Sequence, residues 1–396
     1  MSDSIDWLRE NSFKLYELVK EFRKRWIFHK INSKLGSEPR IKLVRGFRGT
    51  GKTTLLLQLF GEHSERSIYI NADNPKVKRE GLYQIGSDAI ERGYDILLID
   101  EAHTFIDWRS HIKALYDENP NASFVVSGSA PLVFSAGRRE TELNMEFLSL
   151  SEFIYLMDGT KVIASDDVWK DPDATLRFIA RNPSLSRNWD EYIRSGLPLF
   201  FSFNKNVSSA VFNSIKKSIR EDALYYLNMS GEKITAMESM LYMIATSSLG
   251  EFSVNSASKN LGISKYTAYE IINTLESMQI IRIVRPYGKG PKLVRGEPKV
   301  MFSHPAMRIA VCEELGEDAD LGAVREEIAV FSLINRGYTV NTIKGAKRSP
   351  DYIVRKGKTI FLVEVGGESK TKKQLLNMKL NGIIIKPRQL ITLSAF

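Results

Sequence analysis

Apolar residues recur at three- and four-residue spacing through residues 4–35 (Trp7, Leu8, Leu15, Leu18, Val19, Phe22, Trp26 and Ile27), the period of an amphipathic helix. From residue 41 to 159 the pattern changes. Short apolar runs at 41–44, 67–70, 96–99 and 124–126 alternate with helical stretches, which predicts a parallel sheet joined by crossover helices. Residues 160–230 predict helices interrupted at Asp171-Pro172, Asn182-Pro183 and Leu197-Pro198. Residues 233–305 predict several helices followed by a β-ribbon, and 321–396 a helix followed by strands. The chain contains no internal repeat and no low-complexity segment.

Composition narrows the class without changing this layout. Hydrophobic residues make up 43% and charged residues 26% of the 396, the balance of a soluble globular protein with two to four domains. The single cysteine, Cys312, excludes an internal disulfide and any multi-cysteine zinc or iron–sulfur site, and fits a reducing compartment. The opening MSDSIDWLRE has no basic-then-apolar signal pattern, and no apolar run approaches the ~18 residues of a membrane span. A cytoplasmic protein with no membrane partner is expected. Charge adds a direction: residues 321–396 hold 14 Lys and Arg against 5 Asp and Glu, a net of +9 equal to that of the whole chain. An excess confined to the last fifth of a sequence suits a polyanionic partner, or simply a solvated basic surface.

The sharpest chemical signal is Gly46-Phe47-Arg48-Gly49-Thr50-Gly51-Lys52-Thr53, which fits G-x-x-x-x-G-K-[ST] at every fixed position. It lies between the predicted strand 41–44 and the apolar helix 54–60, the context that motif requires. Glycines let the loop curl so that successive N–H groups point at phosphate oxygens, and the helix N-terminus adds partial positive charge. Gly46, Arg48, Gly49, Thr50, Gly51, Lys52, Thr53 and Thr54 are therefore the candidate nucleotide-binding residues, with Lys52 on the β- and γ-phosphates and the Thr53 hydroxyl on Mg²⁺. Asp95-Ile96-Leu97-Leu98-Ile99-Asp100-Glu101 is a hydrophobic strand ending in two acids. Asp100 would hold Mg²⁺ through water, and Glu101 would polarise the water that attacks the γ-phosphorus. The strand 124–126 runs into Ser127-Gly128-Ser129, where either serine could sense the γ-phosphate; Ser129 is the candidate carried forward. Gly137-Arg138-Arg139 follows, and Arg138 is a candidate for reaching nucleotide in cis or in trans, or a member of a surface arginine pair.

These residues resemble the AAA+/STAND-type archaeal ATPase family, in its prokaryotic branch with a C-terminal restriction-endonuclease-like region. The likeness runs over roughly residues 20–155. It rests on the phosphate loop through Leu55, Tyr69-Ile70-Asn71-Ala72-Asp73, Leu98-Ile99-Asp100-Glu101-Ala102-His103, and Asp107-Trp108 with Lys113-Ala114-Leu115-Tyr116-Asp117. Ser127-Gly128-Ser129, Gly137-Arg138 and Leu148-Ser149-Leu150-Ser151-Glu152-Phe153 complete it. His103 stands where the family usually shows Gln. The resemblance implies ATP binding and hydrolysis with Mg²⁺, with ATP and ADP as the bound nucleotides.

Residues 253–278 read as helix, a turn at 261–264, and a second helix N-capped by Ser264, which resembles a winged helix-turn-helix. Its wing, 280–300, carries six Lys and Arg against Glu297 alone. In such folds the second helix enters the DNA major groove and the wing grips phosphate. Lys265, Tyr266, Arg285, Lys289, Lys292 and Arg295 are the candidate DNA-binding residues; the competing role is packing between domains. Residues 321–396 resemble the PD-(D/E)XK nuclease fold, with candidate acids Glu326, Asp351 and Glu364. The position two residues after the second acid, lysine in active members, is Gly366, so a degenerate nuclease site is expected, with Lys370 or Lys372 as possible replacements. The expected fold class is α/β: a P-loop NTPase parallel sheet with its N-terminal helix over 1–159, and a helical lid or linker over 160–230. A winged helix-turn-helix over 231–305 and a nuclease-like α/β domain over 306–396 complete it. The expected partners are nucleotide and double-stranded DNA, with a homo-oligomer or protein partner as the alternative.

Overall fold

The computed structural model describes residues 2–35, 41–129, 139–198, 206–226, 229–288, 298–343, 350–371, 375 and 380–396. The chain divides into two compact units, Met1–Glu146 and Phe147–Phe396.

The first unit is built on five parallel strands: β1 (Ile41–Gly46), β2 (Ser67–Asn71), β3 (Ile96–Asp100), β4 (Ser123–Ser129) and β5 (Glu140–Asn144), in the order β2-β3-β4-β1-β5. Strands β1 to β4 are largely buried on both faces because helices cover both. On one face Leu43, Ile70, Leu97, Ile99, Phe124 and Val126 pack against α1 (Ser2–Glu17), α5 (Leu82–Glu91) and α6 (Trp108–Glu118). On the other Val44, Tyr69, Leu98 and Val125 pack against α2 (Trp26–Asn32) and α3 (Lys52–Glu62), with α4 (Pro75–Glu80) on the connection after β2. This five-strand parallel sheet fits a P-loop NTPase fold. The helix expected over 4–35 is two helices, and the break falls where the periodicity carried no burial: Leu18 is 70% and Phe22 48% exposed. Strand β5 was not anticipated.

The second unit begins with short helices. The expected interruption at Asp171-Pro172 separates the helices Asp166–Lys170 and Pro172–Arg181, and Asp171 caps the second by accepting from the amides of Asp173 (2.7 Å) and Ala174 (2.9 Å). This stretch, expected as a lid or linker, is hydrogen-bonded to the C-terminal part of the chain. Gln389 donates to the Trp169 carbonyl, Ala164 N–H to the Ala395 carbonyl, and the Asp166 carboxylate takes Arg336, Tyr338 and Lys356. Helices Val254–Asn260 and Lys265–Ser277 follow, with Gly262 at φ +64° in the turn between them, then an antiparallel pair β6 (Ile281–Val284) and β7 (Lys299–Phe302). The last sheet holds β8 (Thr339–Thr342), β9 (Tyr352–Lys356), β10 (Thr359–Val365) and β11 (Gly382–Ile385). Its order is β11-β10-β9-β8, antiparallel except for the parallel β10–β11 pair. The chain after β6 is stitched to this sheet, Tyr287 N–H donating to Thr342 and Thr342 N–H to Arg285. No helix among the described residues is long and apolar enough to cross a membrane.

Candidate functional site

Sheet order decides where the candidate residues meet. Because β4 lies between β1 and β3, the register Gly46↔Ser129 and Ile99↔Val126 brings the phosphate loop, both serines and Asp100 to one edge of the sheet. In open α/β sheets the crevice at the carboxyl ends of the strands is where ligands bind.

The loop has the shape its glycines predict. Gly49 (φ +86°) and Gly51 (φ +91°) take left-handed backbone, and Thr50 Oγ1 donates to the Phe47 carbonyl at 2.9 Å. A Cβ on Gly46 would lie 2.6 Å from the Met145 carbonyl oxygen and 2.7 Å from Thr50 Oγ1, so no side chain fits there. Lys52 opens α3 and is buried; its Nζ donates to the carbonyls of Gly46 (2.9 Å) and Phe47 (3.2 Å), which folds the amine over the loop. Thr53 is exposed at the start of the same helix, while Arg48 and Thr54 are half-buried. Arg25, which sequence reading did not single out, braces the loop from outside: its Nη1 donates to the carbonyls of Thr50 (2.9 Å) and Glu146 (3.1 Å). No local motif marks it, since its partners lie 25 and 121 residues away.

Asp100 is buried and held from both sides, by Tyr69 OH (2.8 Å) on Oδ2 and Ser127 Oγ on Oδ1. Burial beside this carboxylate drives the Tyr69 phenol far above its usual range, so it stays a donor. Glu101 takes left-handed backbone (φ +49°), uncommon outside glycine, with its N–H on Asp100 Oδ1 at 3.1 Å. That turn aims its carboxylate at His103 Nδ1, 3.3 Å away, and Ser129 Oγ lies 3.0 Å from His103 Nε2. The two serines left open by the sequence thus have different partners, Ser127 on Asp100 and Ser129 on His103. Arg138 lies outside the described residues. Among the described residues no three or more His, Cys, Asp or Glu form a ready-made metal cage. Mg²⁺ does not need one: it keeps several waters and binds through one or two protein oxygens plus substrate phosphates. An exposed threonine hydroxyl beside a phosphate loop, with a buried carboxylate at the end of β3, two strands over, is a donor set of that kind.

Residues 38–154 match the AAA domain family, and residues 187–320 match a domain of unknown function (DUF8612). Residues 38–154 are thus similar to AAA-type ATPase domains. Among related proteins, the uncharacterized protein MJ1637 of Methanocaldococcus jannaschii is 25% identical over 370 residues, spanning 84% of this chain and 77% of its own length. An uncharacterized protein of Haemophilus influenzae is 22% identical over 353 residues, spanning 83% and 82%. Among solved structures, the Walker-type ATPase paby2304 of Pyrococcus abyssi is 14% identical with a TM-score of 0.44, spanning 74% of this chain and 96% of its own.

In the second unit the helix Lys265–Ser277 exposes Lys265 and Tyr266, the latter 80% exposed, and Ser264 caps it by accepting from Thr267 N–H at 3.0 Å. Arg285 pairs with Glu276 at 3.5 Å. Lys289, Lys292 and Arg295 lie outside the described residues, as does Lys372. Lys299, counted in the sequence as wing charge, instead pairs with Glu326 and donates to Tyr352 OH at 3.2 Å. It belongs to a carboxylate cluster at the root of the last sheet. Glu326 also accepts from Tyr352 OH (2.5 Å), Glu364 from Asp351 N–H (3.2 Å), and Asp351 from Val365 N–H (2.8 Å). Burial, then repulsion from Glu326, pushes the Asp351 carboxyl up to about 7. Lys370 Nζ meets Glu364 Oε1 at 2.5 Å, and a Cβ on Gly366 would lie 2.7 Å from Lys370 Cγ. The Lys370 stem thus fills the space that a side chain at 366 would take.

Proposed function

We propose that this chain is a Mg²⁺-dependent ATPase whose nucleotide state is coupled to a DNA-binding C-terminal half. The alignment of the Gly46–Lys52 loop with Ser129 and Asp100 along one sheet edge carries the reading. Lys52 leaves its loop carbonyls for the β- and γ-phosphates, Glu101 accepts a proton from the attacking water, and the loop N–H groups bind phosphate oxygens. Mg²⁺ on Thr53 and, through water, on Asp100 would supply charge neutralisation. Arg138 is proposed as a further phosphate contact.

For the second half, the proposed architecture is a winged helix-turn-helix followed by a degenerate nuclease-like module. Support for DNA comes from Lys265 and Tyr266, exposed at the start of the second helix, and from the charge of the last 76 residues. A second reading, an ATP-dependent assembly switch with a protein partner or a second copy, is favoured by Arg285, which is paired with Glu276 and whose carbonyl is bonded to Thr342. One experiment separates them. ATP turnover is expected to rise with duplex DNA, and duplex affinity to fall at least about a hundredfold between roughly 50 and 200 mM salt. Salt-independent binding, or none at low salt, favours the switch.

The carboxylate cluster is proposed not to cut DNA. Lys299 and Lys370 already neutralise Glu326 and Glu364, so a divalent ion must displace them to reach the acids. Supercoiled plasmid with Mg²⁺ or Mn²⁺ is expected to stay unnicked. Nicking that disappears in Asp351→Ala sinks this reading and makes Lys370 the activating amine.

A further inference from the structure

Arg25 stands outside every motif of the sequence, yet its guanidinium touches the phosphate loop at the peptide where the loop becomes a helix. Its backbone is fixed as the N-cap of α2: the Arg25 carbonyl accepts from Phe28 N–H at 2.9 Å, and Phe28 and Ile31 anchor that helix in the core. From this half-buried place Nη1, which carries two hydrogens, donates to two carbonyls, Thr50 at 2.9 Å and Glu146 at 3.1 Å. The Glu146 contact keeps the guanidinium from swinging away. The chain there is itself held, because Met145 N–H donates to the Arg45 carbonyl at 2.7 Å and so prolongs the pairing of β5 with β1. The other contact falls on the Thr50–Gly51 peptide. Gly51 (φ +91°) is the N-cap of α3, so its N–H is one that no carbonyl of the helix can satisfy. The peptide is trans and planar, so that N–H points away from the carbonyl that Arg25 holds.

We propose that Arg25 is a positioning residue for nucleotide: by holding the Thr50 carbonyl on the outer side of the loop, it turns the Gly51 N–H towards the phosphates. The glycine is what makes a brace necessary. Glycine takes positive and negative φ about equally readily, so the Thr50–Gly51 peptide can turn over, which would aim the partial negative charge of a carbonyl oxygen at the phosphate chain. That turn costs Arg25 a charge-assisted hydrogen bond. A bond of this kind biases such an equilibrium by about 10- to 100-fold, and apparent affinity falls with the fraction of the protein in the binding-competent form. This inference rests on the nucleotide-binding reading above for its affinity effects, but not for the orientation of the peptide.

The test uses the full chain, in which Thr50-Gly51 is the one Thr-Gly pair. Labelling threonine carbonyls with carbon-13 and glycine amides with nitrogen-15 therefore gives a single correlated signal, from that peptide. Without nucleotide, Arg25→Ala is expected to move this signal or split it, as the peptide samples both orientations. In the same variant the affinities for fluorescent ADP and ATP with Mg²⁺ should fall about 10- to 100-fold and by the same factor, because loop N–H groups cradle the α- and β-phosphates that both nucleotides carry. Arg25→Lys keeps the charge and a donor and should lie between; it carries the same measurements should Arg25→Ala not fold. An unmoved signal in a folded variant overturns the proposal whether or not nucleotide binds. So does an unchanged affinity, or a loss confined to ATP, which would put the affected group at the γ-phosphate. A wild type that binds neither nucleotide, with the signal still moved in Arg25→Ala, removes the nucleotide-binding reading alone.

Discussion

Glu101→Gln is expected to bind ATP as wild type does and to hydrolyse it roughly a hundred- to ten-thousandfold more slowly, the range of a lost general base. The substitution keeps length and shape and removes only the ability to take a proton. It should therefore not disturb the turn at φ +49° or the hydrogen bond from the residue's own amide to Asp100, both made by backbone. Lys52→Ala is the complement: the buried ammonium that folds over the Gly46 and Phe47 carbonyls is lost, and nucleotide affinity should fall. Equilibrium titration with a fluorescent nucleotide and a phosphate-release assay on the same samples separate the two defects. Full hydrolysis by Glu101→Gln would show that another group activates the water, and the assignment would be wrong.

What the sequence shows well is local in the chain. The phosphate loop, the strand ending in Asp100-Glu101 and the cap at Ser264 are each contiguous runs whose residue types have few other uses, and the elements bearing them formed within a residue or two of expectation. Strand β5 was missed because it is an edge strand reading Glu-Thr-Glu-Leu-Asn, in which Leu143 alone is buried. Apolar period without burial misled in the other direction at Leu18 and Phe22. The rest of the site is set by pairing over distance. Whether Ser127 or Ser129 faces Asp100 depends on the register of β4 against β3, which no window of sequence contains. Lys299 looked like one more basic residue of a wing until its partner, 27 residues on, was in place. The tie from Asp166 to Arg336 crosses 170 residues, which no local window of sequence contains.

The largest expected loss of stability comes from the same kind of long-range contact. Arg308 is wholly buried in the helix Pro305–Glu314. Its Nη1 donates to the carbonyls of Ile244 (2.9 Å) and Ala245 (2.6 Å) in the last turn of the helix Gly231–Thr246 and to that of its C-cap Ser247 (3.2 Å), carbonyls that need partners from outside that helix. Its Nε donates to Glu327 Oε1 at 2.9 Å, and that oxygen also accepts from Phe302 N–H at 2.9 Å. One planar fork thus closes a helix end and neutralises a buried carboxylate, which the single ammonium of lysine cannot do at both places. Arg308→Ala should destabilise the unit by about 3–5 kcal/mol, because it leaves a buried charge and several carbonyls without their donor. Arg308→Lys should recover only part. The loss should also depend on pH. Burial raises the Glu327 carboxyl above its usual 4.5, opposed chiefly by Arg308, and without that guanidinium the rise is larger. A folded state with a raised carboxyl pKa binds more protons than the unfolded chain, so stability falls as pH rises from about 4.5 through the raised value. The defect should accordingly be smaller near about pH 5 than near about pH 8. Hydrogen exchange of the amides in Gly231–Thr246, read at both pH values with the intrinsic rate corrected, measures it directly. A loss below about 1 kcal/mol that is the same at both would mean that the Arg308 charge is not what holds Glu327 and the helix end in place.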